Sequence, residues 1–131
     1  MILIDTSAWI DFFHGKYNWI SEHINHELLS GMPALCGPIW LELVRGLHHK
    51  KDTKKILELF KSCHWLKEPD DFWNEAGELG KYLAQKGYTI GSIDLLIAVH
   101  AIAHQIPLLT TDEDFKYMVK VGIPLQLVYP L

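Results

Sequence analysis

Apolar residues fall along this chain in two rhythms. Ile2-Leu3-Ile4 is an unbroken apolar run that ends at Asp5. A run without alternation fits a strand buried on both faces, as in a parallel sheet. Ala8-Trp9-Ile10-Asp11-Phe12-Phe13 then reads as a short helix and His14-Gly15-Lys16 as a turn. Trp19, Ile20, Ile24, Leu28 and Leu29 recur at helical spacing and stop near Gly31. Met32 to Gly37 is brief and apolar, which suits a second short strand or an extended link.

Pro38 fits the first turn of a helix whose apolar side is Ile39, Trp40, Leu43, Val44 and Leu47. Another helix runs through Ile56-Leu57-Glu58-Leu59-Phe60, and Cys63-His64-Trp65-Leu66 has room for an extended piece. Asp70-Asp71 opens a long helix that Lys86-Gly87 closes. Ser92 is placed to cap the next helix, which is apolar on every side from Ile93 to Ala103 and so belongs at the centre. Pro107-Leu108-Leu109-Thr110-Thr111 reads as a strand, and Thr111 with Asp114 has the spacing of a capping box. Ile123 to Val128 supplies a last strand. Short strands alternating with helices predict an α/β protein, a three-layer α/β/α sandwich on a mainly parallel sheet, with residues 1–131 forming one domain.

Composition changes this picture little. The chain is 49% hydrophobic and 21% charged, the balance of an ordinary globular protein. Its net charge of −4 argues against a broad basic surface for nucleic acid, but acids gathered in one site count as negative until a metal binds them. Cys36 and Cys63 form neither a zinc pattern nor a disulfide framework, which predicts a reducing cytoplasm. No basic segment precedes the first strand, so no signal peptide is expected, and no apolar run approaches a membrane span.

The candidate chemistry is carried by four acids. Asp5 ends the first strand and Asp112 follows the 108–111 strand in the same way, so parallel strands bring both to one sheet edge. Asp94 stands in the first turn of the apolar helix. Glu42 borders the apolar arc of its own helix, with Gly46 one turn later leaving space beside it. Each acid also has a plain explanation as a helix-start residue, a solvated flank or a turn residue. Together they would repel one another unless a cation neutralised them. Oxygen ligands alone suit Mg²⁺ or Mn²⁺, which can activate water for phosphoryl displacement in a nuclease or phosphatase.

The segments Ile2 to Ile10, Glu42-Leu43-Val44-Arg45-Gly46, Ser92 to Ala98 and Leu109 to Phe115 resemble, in order and spacing, a PIN-domain ribonuclease of the VapC toxin type. The resemblance spans essentially the whole chain. It implies a Mg²⁺-dependent endoribonuclease, the toxin of a type II toxin–antitoxin pair. Asp5, Glu42, Asp94 and Asp112 would hold the metal and the attacking water, and Thr6 or Ser7 would order the site. Asp114 matches an acid present in only some members. The resemblance further implies an RNA substrate, a small antitoxin that covers the cleft, and a homodimer.

Other features carry less. His100 and His104 have a zinc-capable spacing but no accompanying HExxH motif, so they read as core or surface residues. His48-His49 with the basic run Lys50 to Lys55 reads as a solvated face able to meet phosphates. Trp9, Trp40 and Trp73 are placed in the core by their spacing. Two other functions stay open at this point. An aspartyl-nucleophile phosphohydrolase would use Asp5, although Ser7 stands where its second acid belongs. A non-catalytic binding module could keep the same fold.

Overall fold

The computed structural model describes residues 1–46 and 50–130, without the side chains of Lys50, Lys51, Asp52 and Lys55. The elements run β1 (Leu3–Ile4), α1 (Thr6–Phe13), α2 (Trp19–Ser30), β2 (Ala34–Leu35), α3 (Gly37–Gly46), α4 (Lys50–Lys61), β3 (His64–Trp65), α5 (Phe72–Gln85), α6 (Ser92–His104), β4 (Leu108–Leu109) and α7 (Glu113–Lys120). The four strands form one sheet in the order β3-β2-β1-β4, and every pairing is parallel. The chain steps outward from β1 to β3 and then returns to the far side of β1. Neighbouring connections therefore diverge between β1 and β4, and their carboxyl ends open a crevice of the kind in which α/β folds bind ligands.

The apolar runs become the buried centre. Leu3, Ile4, Ala34, Leu35, Leu108 and Leu109 are fully enclosed, as strands covered on both faces must be. Trp9 of α1 is also fully enclosed, stacked on Phe13 at 5.6 Å and edge-on to Phe60 of α4 at 5.3 Å. The predicted central helix, α6, buries Leu95, Ile97, Ala98, Val99, His100 and Ala101. It is not covered all round, since Ala103 is exposed. A Cβ at Gly80 would meet Leu95 Cδ1 at 2.7 Å, so glycine lets α5 approach α6 closely. Gly87, at φ 93°, turns the chain after α5 as its position predicted.

Several expectations are corrected. The last predicted strand shrinks to a single parallel bridge, Leu108 with Leu127. Pro124 has no N–H to give, and the Leu125 N–H turns back to the Ile123 carbonyl at 2.8 Å. Gly91, not Ser92, is the cap of α6, and Ser92 is its first helical residue. Asp112, not Thr111, caps α7, accepting the Asp114 N–H at 3.0 Å. The long helix α5 begins at Phe72, and the Asp71 carboxylate accepts from the Asn74 side chain instead of capping the backbone. Trp73 is 68% exposed and Trp40 only half-buried, because Phe72 and Ile39 beside them take the inward positions. His48 and His49 lie outside the described residues, as does most of the Lys50 to Lys55 run by its side chains.

Candidate metal centre

Register builds the site. Leu3 pairs with Leu108 and Ile4 with Leu109, which puts Asp5 beside Thr110 as the two chains leave the sheet. The Asp5 N–H still donates to the Leu109 carbonyl at 2.9 Å, so Asp5 is tied to the sheet edge through its backbone. Its side chain is 3% exposed. Oδ2 accepts from Thr110 Oγ1 at 2.7 Å and from Ser7 Oγ at 2.8 Å. Both hydroxyls are fixed in turn. The Asp112 N–H donates to Thr110 Oγ1 at 3.0 Å, and the Thr111 N–H donates to Ser7 Oγ at 3.1 Å. Thr110 thus joins the acid that ends β1 to the turn that starts α7.

Glu42 reaches the site from α3. Its Oε1 accepts from Thr6 Oγ1 at 3.0 Å, so the hydroxyl next to Asp5 holds the next carboxylate. Among the described residues, apart from its chain neighbours and its own helix backbone, no atom lies within 4 Å of where a Cβ of Gly46 would stand.

The remaining acids sit at two helix starts. Asp94 is the third residue of α6, and Asp112 and Asp114 flank the first residue of α7. One carboxylate oxygen from each of the three lies within 4.8 Å of the others, and all three are half-buried. Sequence reasoning ranked Asp114 lowest, yet it is a full member of this cluster. It also missed Thr110, whose only signal was a hydroxyl at the strand end that pairs with the Asp5 strand.

Electrostatics follow from this crowding. Burial raises the Asp5 pKa, and Glu42 adds to the rise, against the lowering effect of bonds from Thr110, Ser7 and the Thr6 backbone. Burial, then repulsion from Asp112, Asp5 and Asp114, pushes Asp94 up to about 7. All five acids therefore belong to one electrostatic unit, although only three are in close contact. Helix starts favour nearby anions by only ~0.3–1 kcal/mol each, too little to offset such a rise. A dication would offset it, and a set of oxygen donors alone fits a hard ion such as Mg²⁺. The cluster passes that test of fit.

The other candidates fall away from the site. Cys36 follows β2, but burial pushes its thiol up to about 12, so it is not a nucleophile at neutral pH. His100 is buried against the Phe72 ring at 4.7 Å, and burial lowers its pKa to about 4. His104 Nε2 lies 2.7 Å from the Lys67 carbonyl. Neither histidine belongs to the acid cluster.

Comparison with known proteins bears on the family and the fold. A family model described as PIN domain matches residues 2–121. The chain is 30% identical over 126 residues to a VapC ribonuclease of Mycobacterium bovis and to ribonuclease VapC11 of Mycobacterium tuberculosis, covering 92% of this chain and 93% of each relative. Among solved structures, VapBC2 from Rickettsia felis bound to a DNA fragment from its promoter gives a TM-score of 0.76 at 25% identity over 98% of both chains. VapBC-1 from nontypeable Haemophilus influenzae gives 0.77 at 22% identity, covering 98% of this chain and 97% of that one.

Proposed function

The chain belongs to the PIN-domain family, with VapC ribonucleases as its relatives, and from that premise we propose that it is a Mg²⁺-dependent endoribonuclease, the toxin of a toxin–antitoxin pair. The observation that carries this reading is the gathering of Asp94, Asp112 and Asp114 at the mouth of the β1–β4 crevice, beside buried Asp5. We assign Asp5, Glu42, Asp94 and Asp112 as the residues that would hold the metal, with Asp114 beside them. A bound dication supplies a water nucleophile at neutral pH and charge to meet the phosphate.

The side chains have separable tasks. Ser7 and Thr110 aim the Asp5 carboxylate by both donating to its Oδ2. Thr6 holds Glu42 in the same way. Asp94, with its pKa near 7, keeps a proton part of the time at neutral pH in the ion-free protein. An RNA phosphate meets only negative charge here until that charge is neutralised, so affinity for substrate and for cation are coupled.

On this reading the 1–131 chain is one catalytic domain that works as a homodimer in the cytoplasm. No helix among the described residues is long and apolar enough to cross a membrane. A small antitoxin would cover the acid crevice, since solved relatives are VapBC complexes. The aspartyl-nucleophile alternative places a covalent phosphate on Asp5. Borohydride trapping tests it directly, and RNA cleavage without a trapped adduct removes it.

The deciding experiment is RNA cleavage by purified protein with Mg²⁺, beside the Asp5→Asn variant. Cleavage by the parent and none by the variant supports the proposal. Equal cleavage by both overturns it.

A further inference from the structure

Beside the acids, the carboxyl edge of the sheet carries a second concavity. A cavity of about 470 Å³ lies between the starts of α3 and α5, helix α6 and the chain that leaves β3. Leu66, Phe72 and His100, each 2–4% exposed, form its buried wall. Trp65 and Trp73, 50% and 68% exposed, form its open rim. We propose that this cavity receives an unpaired base of the RNA substrate, next to the phosphate engaged at the acid cluster. The inference rests on the ribonuclease reading and extends it to how the substrate is gripped.

Placement supplies the first argument. Leu41 of α3 lines the cavity and immediately precedes Glu42, and Ile93 of α6 lines it and immediately precedes Asp94. One residue is a turn of about 100° around a helix, so on both helices the cavity and the acid occupy adjoining faces. Gly37 and Leu66 also line it, and each comes just after a strand, β2 and β3. Ile93, Leu96 and His100 recur at the spacing of one helix face, a stripe that descends ~10 Å along α6. The cavity thus starts at the edge where the acids stand and runs down from it.

His100 supplies the second, independent argument. It is 2% exposed, and its buried Nδ1 has no hydrogen-bond partner among the described residues. The ring packs on Phe72 at 4.7 Å and lies parallel to His104 at 6.1 Å, and neither ring contact pairs that nitrogen. Buried polar atoms are normally paired, so an orphan on a cavity wall points to a ligand that completes it. Burial lowers the His100 pKa to about 4, so the imidazole is neutral at pH 7 and offers one donor and one acceptor. The edge of a base carries both kinds of partner and can satisfy either tautomer.

Chemistry then selects the base over the other parts of RNA. Among the described residues lining the cavity there is no Lys or Arg, and Glu68 brings a carboxylate, so a phosphate finds no partner here. A flat, uncharged ring finds indole faces at the rim and, if it bears an amino group, an acceptor in Glu68. The volume lies in the ~300–1,000 Å³ range of pockets that hold small molecules. A base can enter only when it is unstacked, which makes the expected substrate a single strand or a loop.

The test separates binding from chemistry. Ion-free protein carrying Asp94→Asn and Asp112→Asn lacks two of the proposed metal ligands and repels RNA less. Its affinity for a short fluorescein-labelled single-stranded RNA is followed by anisotropy. In this background Trp73→Ala should weaken binding at least ~5-fold, and Trp73→Phe, which keeps a ring to stack on, should restore most of it. Trp65→Ala should act as Trp73→Ala does, with circular dichroism checking that each variant folds. In protein that keeps all its acids, assayed with Mg²⁺, Trp73→Ala should raise KM by a similar factor and leave kcat unchanged. Light scattering without RNA reads the oligomeric state. A Trp73→Ala protein that changes that state would make this face an interface between copies and overturn the proposal. RNA bound and cut as well by the tryptophan variants as by the parent overturns the base pocket and leaves the ribonuclease reading standing. A parent that cuts no RNA overturns that reading, and the pocket with it.

Discussion

Replacing Asp94 by Asn should stabilise the ion-free protein. Asp94 titrates near 7 in the fold, against an ordinary value of 3.8. The sign follows from which state holds the proton. Between about pH 4 and 7 the unfolded chain has already lost it while the fold still holds it. Stability therefore falls as pH rises through this window and levels off above it. The full gap corresponds to at most ~4 kcal/mol. Asp94 is only half-buried, and solvent screening reduces this to roughly 1–2 kcal/mol. Asn removes the charge and keeps a donor for Asp114, so the variant should escape the loss. With an unfolding entropy of ~2.1 cal/mol/K per residue, 1–2 kcal/mol is roughly 4–7 °C in Tm for a chain of this length. Thermal unfolding followed by circular dichroism in EDTA, from pH 4.5 to 8, measures this. Parent and variant should coincide near pH 4.5 and diverge by pH 8, with the variant higher. Parallel curves, or a variant that melts lower at pH 8, would refute the assignment of Asp94 as the strained acid.

Asp5→Asn should reduce RNA cleavage to background while Tm stays within about 3 °C of the parent, since the amide keeps an acceptor for the two hydroxyls. Thr110→Val should take one of the two hydroxyls from Asp5 Oδ2 and leave the Asp112 N–H without its acceptor, costing ~1–3 kcal/mol in urea unfolding and cutting cleavage about 10- to 100-fold. Thr110→Ser keeps the hydroxyl and should restore most of both; equal damage by Ser and Val would point to lost packing. EDTA should abolish cleavage and lower Tm, with Mn²⁺ restoring both, and cleavage in EDTA would exclude the metal assignment. Trp9→Ala should cost ~3–5 kcal/mol in urea unfolding, because the side chain is fully enclosed between Phe13 and Phe60.

Legibility in the sequence followed the kind of interaction involved. Ile2 to Ile4, Leu108-Leu109 and the apolar helix after Gly91 were readable because burial leaves a periodic signature. That Asp5 and Asp112 leave the same sheet edge was readable because each comes soon after such a strand, Asp5 at once and Asp112 after Thr110-Thr111. The helix caps were not. Gly91 over Ser92 and Asp112 over Thr111 are shifts of one residue, decided by backbone geometry that many sequences satisfy. Exposure of Trp73 was hidden for a related reason. Phe72 beside it is equally apolar, and only the packed α5 shows which ring faces inward. Thr110 was unreadable as a site residue, because its role rests on the β1–β4 pairing across more than a hundred residues.

The site is assembled from two parts with different mechanical character. Asp5 is held by a buried strand, a backbone hydrogen bond and two hydroxyls. Asp94, Asp112 and Asp114 stand at helix starts, half-buried and mutually repelling. The first part is fixed whether or not charge is balanced. The second has reason to spread when it is fully ionised and to close when a cation enters. Thr110 links the two, since one hydroxyl donates to Asp5 and accepts from the Asp112 backbone. Cation binding should therefore order the α7 start more than the β1 end. Amide hydrogen exchange at pH 8 checks this. Mn²⁺ should slow exchange at residues 112–116 well beyond any change at residues 3–6. Equal protection at both would mean that the ion acts on the whole edge, and that Thr110 is no boundary between a rigid and a responsive half.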